Sequence, residues 1–170
     1  MMGTRALAAA LAIAGASVPA AAQGYDEKRV VVSINQGDLA AIVGSLGHTI
    51  RETGKPGEAY LAAESEDGII YLLFGTACDV NGVPGCQGVM MQARYDLPEG
   101  TTFETLARAN DELAAISVTA DFAEKSLLFT RYHVLDHGVT MANIRANVDV
   151  LLGLVGDAYP IAAGEERPAG

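Results

Sequence analysis

Positive charge is scarce in this chain. Lysine and arginine together number 11 against 21 aspartates and glutamates, which gives a formal net charge of −10 at pH 7. The basic residues are scattered along the sequence and form no cluster. Proteins that hold nucleic acid or anionic lipid concentrate positive charge, so the sequence predicts neither as a partner.

Long apolar runs are missing after the first 22 residues. The run Ala6–Val18 follows one positive charge and precedes the small residues Ala20–Ala22, which is the pattern of a secretory signal peptide. It is short for a membrane span, which needs about 20 apolar residues. No cysteine follows it, which argues against a lipid anchor. We therefore expect cleavage after Ala22 and a periplasmic or secreted bacterial protein, with no stable membrane insertion.

Recognisable catalytic motifs are also absent. No serine stands in a Gly-x-Ser-x-Gly elbow, and no glycine-rich phosphate loop precedes a helix. The acidic stretch Glu64–Asp67 is interpreted as a solvated turn, because neighbouring carboxylates are common in a chain this acidic. The sequence therefore predicts no catalytic residue, no cofactor and no cofactor-binding residue. A small periplasmic hydrolase or ligand carrier is the alternative.

Cysteine is limited to Cys78 and Cys86, which flank the turn dipeptides Asn81-Gly82 and Pro84-Gly85. An exported chain meets an oxidising environment, where a pair this close across a hairpin loop is expected to form a disulfide. Free thiols and a metal site are the alternatives. Two cysteines without a second pair or a histidine pair do not complete a metal site.

The three histidines offer one further candidate site. His133 and His137 lie four residues apart with Asp136 between them, and this spacing can hold a metal when the ligands share a helix. Here His133 ends a predicted strand and His137 lies in a turn, so their rings need not converge. We predict ordinary surface or structural histidines and no metal; a metal site is the alternative.

Apolar patterns alternate regularly along the rest of the chain. The stretch Gly68–Tyr95 contains an unbroken apolar strand, the cysteine loop and a second strand in which apolar and polar positions alternate. Helices are predicted at about 35–46, 102–114 and 140–155, strands at 59–64, 69–74, 89–95, 116–121 and 126–134, and further strand candidates at 30–34 and 48–52. The order α-β-β-β-α-β-β-α predicts an α+β domain, with three helices on one face of a mainly antiparallel sheet of about five strands.

The first and third helices carry clear terminal signals. Asn35 is expected to cap the first helix and Gly47 to stop it. Its expected apolar face is Leu39, Ile42, Val43 and Leu46. The expected apolar face of the third is Met141, Ile144, Val148, Leu151, Leu152 and Val155, with Arg145, Asn147 and Asp149 off it. Gly156 is expected to end this helix, so that one domain spans 23–156 and a flexible C-terminal tail spans 157–170.

The second helix is expected to begin with a capping box made by Thr101 and Glu104. Its predicted apolar stripe is Phe103, Leu106, Asn110 and Leu113. A buried amide needs hydrogen-bond partners, so we expect Asn110 to bind neighbouring backbone.

Several marks make the chain resemble the YbjN domain family, whose members are proposed to be bacterial sensory transduction regulators. They are the strand ending in Cys78, the return Cys86–Met91, the pair Ala109-Asn110 and the helix entry Gly138–Thr140. The family's Asn-x-Trp-Asn stretch is half present: Asn110 matches, whereas Glu112-Leu113 replaces the Trp-Asn pair and the chain has no tryptophan.

The resemblance implies a fold similar to that of type III secretion chaperones, which are often dimers that hold a partner polypeptide. We therefore expect an exported, non-catalytic protein-binding or regulatory module. Its expected partner is another polypeptide, with a homodimer as a further possibility, and the edges of its sheet could pair with a partner strand.

Overall fold

The computed structural model of the protein describes residues 24–165. The predicted signal peptide, residues 1–22, lies outside the described residues, as does the segment 166–170. The described helices are α1 (Gln36–Ser45), α2 (Phe103–Glu112) and α3 (Met141–Ala162). None of these helices is long and apolar enough to cross a membrane.

Strands make up much of the remaining chain. They are β1 (Val30–Val31), β2 (Thr49–Thr53), β3 (Tyr60–Glu64), β4 (Ile70–Cys78), β5 (Cys86–Asp96), β6 (Ser117–Asp121), β7 (Ser126–Val134) and β8 (Val139–Thr140). β1 and β8 pair with each other, and the other strands form a six-stranded sheet in the order β2-β3-β4-β5-β7-β6. All neighbours in that sheet are antiparallel, which confirms the predicted α+β class.

The sheet has six strands where the sequence predicted about five. The additional strand is β2, in a segment that the sequence marked only as a strand candidate. Its sequence, Thr-Ile-Arg-Glu-Thr, is almost entirely exposed at the sheet edge and lacks the apolar alternation that identifies a half-buried strand. The order through the sheet is therefore α-β-β-β-β-α-β-β-α.

One face of the sheet carries the hydrophobic core. Alternate residues of the central strands, including Tyr71, Leu73, Met91 and Phe129, are completely buried. α3 contacts β5 and β7 and α1 contacts β2 and β3, so the helices cover this face. Each large apolar side chain buried there contributes about 1.5–3 kcal/mol to stability.

α1 follows the sequence signals closely. The Asn35 side chain accepts a hydrogen bond from the Asp38 backbone, and the Asp38 carboxylate accepts one from the Asn35 backbone, which forms a capping box. Leu39, Ile42 and Val43 are completely buried, and Gly47 follows the helix with a φ of 74°, a left-handed conformation that favours glycine. The predicted start, face and end of α1 are confirmed.

The predicted start of α2 is wrong by one residue. The cap is Thr102, whose hydroxyl oxygen accepts a hydrogen bond from the Thr105 N–H, while the Thr105 hydroxyl oxygen accepts one from the Thr102 N–H. The Thr105 hydroxyl also donates to the Ala162 carbonyl of α3, a tertiary contact that favours this register.

This shift also changes the buried face of α2. Phe103 is 80% exposed rather than buried, and it contacts the ring of Phe122 at 5.0 Å between centroids. Leu106 and Ala109 are the buried residues of the helix. Ala109 was absent from the predicted stripe because alanine gives a weak apolar signal.

α3 does not end at Gly156 but continues to Ala162, so residues 157–162 are not a flexible tail. The reason is that the apolar face continues: Ala158, Ile161 and Ala162 are buried, and Tyr159 packs on Tyr95 at 5.4 Å between ring centroids. This burial outweighs the cost of Gly156 and Pro160 inside a helix.

Asn147 also differs from the prediction, because it is buried on α3 rather than off the packed face. Its side-chain oxygen accepts a 2.6 Å hydrogen bond from Arg131 Nε on β7, and its amide donates to the Asn143 carbonyl. This polar contact joins the helix to the sheet. The spacing of apolar residues in the sequence gives no indication of it. The rest of the predicted face is confirmed, with Met141, Ile144, Val148 and Leu151 completely buried.

Leu151→Asp should lower the free energy of unfolding by at least about 3 kcal/mol, because it removes a buried side chain and inserts a carboxylate that has no partner. Urea denaturation followed by circular dichroism would measure the loss. The adjacent variant Val150→Asp is the matched control, since Val150 is 38% exposed and should tolerate the change. Equal stability of the two variants would contradict the packing of α3 on the sheet.

Candidate interaction surface

Within residues 24–165, no helix packs on the second face of the six-stranded sheet, which carries mainly apolar side chains together with the polar pair Gln92 and Thr130. Side chains alternate across a strand, so the residues between the core positions point to this side. Leu72 and Phe74 on β4 are half-buried, whereas Tyr71 and Leu73 beside them are fully buried. We call this side the open face; of its apolar residues, Ile70, Tyr132 and Val134 are exposed, Tyr60, Leu72, Phe74, Met90 and Leu128 are partly buried, and Ala62 is buried.

Four large side chains form a row straight across the open face. Tyr60 is opposite Phe74, Phe74 is opposite Met90, and Met90 is opposite Tyr132. The row therefore crosses four strands, a span of about 15 Å at the usual strand spacing. Aromatic rings and methionine are enriched at the centres of protein interfaces, so the row has the composition of a binding surface.

Tyr132 is held in place at one end of this row. A Cβ on Gly88 would lie 2.3 Å from the Tyr132 hydroxyl oxygen, so the ring crosses β5 at a position that only glycine allows. The Thr76 hydroxyl on β4 donates to the Tyr132 hydroxyl at 3.0 Å. Tyr132 is nevertheless 48% exposed. The ring is thus preorganised and accessible, which lowers the entropic cost of using it as a binding anchor.

Both edges of the sheet are poor templates for strand addition. On the outer side of β6, the Asn110 amide donates to the Val118 carbonyl and its oxygen accepts from the Val118 backbone, at 2.8 and 2.9 Å. Asn110 therefore binds backbone as predicted, and it occupies the groups that a partner strand would use. At the other edge, β2 is short, has an irregular register and carries Arg51 and Glu52, features that discourage pairing.

The two cysteines are bonded as predicted, with an S–S distance of 2.05 Å. Cys78 and Cys86 are opposite each other at the ends of β4 and β5, so the bond closes the hairpin loop. Cys86 is buried, and its sulfur would lie 2.4 Å from a Cβ on Gly75, which explains the glycine there.

His133 and His137 occupy different environments. His133 lies on the core side of β7, where burial and then the positive charge of Arg131 lower its pKa. The His137 side chain is 95% exposed in a turn, 3.6 Å from Asp136. Within residues 24–165, no group of three or more His, Cys, Asp or Glu side chains is arranged to hold a metal ion.

A separate cavity of about 280 Å³ on the core side was not found from sequence. Its lining includes His48, Ser65, Glu66 and Asp149. His48 Nδ1 lies 2.8 Å from the hydroxyl of the buried Tyr71, and burial lowers the pKa of His48 and raises that of Tyr71. The contact joins residues from separate elements, and no local motif indicates it.

The Ser65 hydroxyl in this cavity accepts a hydrogen bond from the Ile69 backbone. A serine nucleophile needs a bond to its base, but these bonds connect Ser65 and His48 to other groups. The cavity therefore has the residue types of a hydrolase without the bonds that would link them.

Three helices on one face of an antiparallel sheet, with the second face open, define a recognised class of α+β fold. The crystal structure of YbjN from E. coli, described as a candidate transcription regulator, matches it with a TM-score of 0.54 and 13% sequence identity. The match covers 77% of this chain and 95% of YbjN. The chain therefore has a YbjN-like fold, as the sequence resemblance predicted, and an identity this low shows the fold alone.

The sequence of the chain matches no protein-family model. It also matches no curated protein.

Asn110→Ala should lower the free energy of unfolding by about 1–3 kcal/mol, because the Val118 N–H and C=O lose their partner at the sheet edge. Thermal unfolding would measure the loss, and Asp111→Ala, at an exposed position on the same helix, is the control. Asn110→Asp should be at least as harmful, since a carboxylate cannot donate to the Val118 carbonyl. Wild-type stability in both Asn110 variants would contradict this role.

Proposed function

We propose that this protein is an exported, non-catalytic module that binds another polypeptide through the open face of its sheet. The observation that carries the proposal is the row of Tyr60, Phe74, Met90 and Tyr132, in which Tyr132 is exposed and the other three are partly accessible. A lone exposed apolar residue is ordinary, but a contiguous apolar patch on a protein surface marks a site of interaction.

The composition of the patch favours a polypeptide over a small molecule. Small-molecule sites are concave and enclose most of their ligand, whereas this patch is one side of a sheet. Its side chains provide wide contact with little conformational freedom to lose, which is the property of interface hot spots. Tyr132 has the strongest case, because Gly88 and Thr76 fix its ring.

A regulatory role without catalysis is supported by the solved structure of similar fold, which is described as a candidate regulator. The hydrolase alternative has one observation in its favour, the cavity that His48 shares with Ser65 and Asp149. The hydrogen bonds described for His48 and Ser65 lead elsewhere, so the open face has the better claim.

Export is supported by two features. The N-terminal sequence has the order of charge, apolar core and small residues that signal peptidase uses. The Cys78–Cys86 bond belongs to the chemistry of an oxidising compartment. Together they support the proposal that the binding module works outside the cytoplasm.

Intact-mass spectrometry of the protein produced in a bacterial host should find a chain that begins at Gln23 and gains two hydrogens on reduction. The first result follows from cleavage after Ala22, and the second from the disulfide. A secretion-blocked host is the control and should retain the full-length chain. A chain that begins at Met1 in the normal host, or free thiols in the native protein, would contradict export.

A photo-crosslinking residue in place of Met90 should trap a discrete polypeptide in the cells that produce the protein, because Met90 is partly accessible and lies between Phe74 and Tyr132 in the row. The same residue at Val150, which is exposed on α3, is the control for random contact. The Met90 adduct should disappear when Tyr132 is also changed to alanine. Adducts that form at Val150 and not at Met90 would refute the open face as the binding site.

A further inference from the structure

We infer that the partner polypeptide adds a short extended strand to β7, along the part of β7 that β6 leaves unpaired. The inference rests on the function proposed above. It is based on the direction of the backbone hydrogen bonds of β7 and on the two exposed side chains at its end.

β7 has neighbours of unequal length. On one side, β5 pairs with all nine residues of β7, from Ser126 to Val134. On the other side, β6 begins at Ser117, which is opposite Thr130. Residues 131–134 therefore have a strand on one side only, and we call their second side the free edge of β7. It is separate from the outer edges of the sheet at β2 and β6.

The hydrogen bonds of an antiparallel strand alternate between its two neighbours, residue by residue. The Leu135 N–H donates to the Gln87 carbonyl at 2.9 Å, so Leu135 is turned toward the chain of β5, and His133 shares its orientation. Tyr132 and Val134 therefore direct their N–H and C=O groups to the free edge.

β6 gives the same alternation independently. Asn110 binds both backbone groups of Val118 on the outer side of β6, so the adjacent Ser117 is turned toward its partner Thr130 on β7. Thr130 thus has its outward groups paired with β6. Tyr132, two residues further along β7, is the first outward-facing residue beyond the end of β6.

The free edge is unpaired and accessible. Within residues 24–165, no described backbone hydrogen bond reaches the outward N–H and C=O groups of Tyr132 and Val134. The two residues are 48% and 56% exposed. Two donors and two acceptors therefore stand in one row, which is the arrangement that an added strand uses.

The register also indicates the side chains of the partner. A residue opposite Tyr132 in an antiparallel ladder has its side chain on the same face of the sheet, here the open face. It would extend the row of Tyr60, Phe74 and Met90 by one strand. We therefore expect an apolar residue there and a second one opposite Val134, two positions away in the partner.

The length of the free edge favours a flexible segment over a second folded copy of this chain. Residues 131–134 extend over about 13 Å, whereas a stable interface between folded proteins buries about 1,200–2,000 Å² in total. A flexible segment can add contact area by continuing from the free edge over the open face.

Amide hydrogen exchange in the mature protein, followed by NMR, tests the free edge before any partner is added. The N–H groups of Tyr132 and Val134 should exchange at least about tenfold faster than those of Arg131 and His133, which bond to β5. Equal protection of all four groups would mean that the edge is already covered, and it would overturn the inference.

Three synthetic peptides of about eight residues test strand addition. The first alternates valine with threonine, the second is N-methylated on its valines, and the third on its threonines. With the valines on the open face, the valine N–H groups point to β7 and the threonine N–H groups point away.

The first and third peptides should slow exchange at Tyr132 and Val134 by about tenfold, and the second should not. Equal effects of the two methylated peptides, or no effect of the unmodified one, would contradict strand addition. A reversed preference would refute the predicted face of the apolar residues.

Val134→Pro relates the free edge to the cellular partner. Proline removes the outward N–H of this residue and no hydrogen bond to β5, and Val134→Thr is the matched control because it keeps the N–H. The polypeptide trapped from Met90 should be lost in the proline variant and retained in the threonine variant. The exchange and peptide measurements use the unaltered chain, so they decide the question if the proline variant fails to fold.

These outcomes distinguish failure of the inference from failure of the proposed function. If both Val134 variants retain the Met90 adduct, the partner binds the open face without adding a strand, and only the inference fails. If the wild-type chain gives no adduct at Met90, the proposed function fails as well. If sedimentation finds a dimer that Val134→Pro dissociates, the free edge binds a second copy, and the flexible segment is refuted.

Discussion

A six-stranded sheet has two faces, and in this protein the three helices cover one of them. Everything else in the structure depends on that one-sided burial. The core residues Tyr71, Leu73, Met91 and Phe129 are completely buried because α1 and α3 lie over them. The intervening residues of β4 are apolar too, and within residues 24–165 no helix covers them, whereas the intervening positions of β5 and β7 include the polar Gln92 and Thr130. The sequence of β4 is therefore hydrophobic on both sides, as a strand buried on both sides would be.

This double apolar character explains both what could be predicted and what could not. The unbroken apolar run at residues 69–74 is typical of a strand covered on both faces, whereas the described helices cover only one of them. The helical faces of α1 and α3 were predictable because leucine, isoleucine and valine recur at helical spacing. The edge strand β2 gave only a weak signal, since its side chains are exposed and no apolar period identifies them.

The remaining differences come from contacts between distant segments. The Thr105 hydroxyl donates to the Ala162 carbonyl, and this contact favours the Thr102–Thr105 capping box over the predicted pair Thr101 and Glu104. Asn147 is buried because its side chain accepts a hydrogen bond from Arg131 on the sheet. α3 continues past Gly156 because Tyr159 packs against Tyr95. His48 and Tyr71 meet for the same kind of reason. By contrast, the backbone-binding role of Asn110 could be predicted, since a buried amide in an apolar stripe has few other uses.

The order of the strands gives Tyr132 a second role, in the structure of the sheet itself. β2 to β5 form a continuous meander, whereas β6 and β7 form a separate hairpin that joins the sheet only at the β5–β7 seam. The Tyr132 ring extends from β7 over Gly88 on β5, and its hydroxyl bonds to Thr76 on β4. The Tyr132 side chain thus links the hairpin of β6 and β7, which pairs with β5 across a long stretch of sequence, to the meander of β2 to β5, whose strands are consecutive in sequence. The row on the open face exists only when the two units have docked, so any ligand that binds the row also holds them together by mass action.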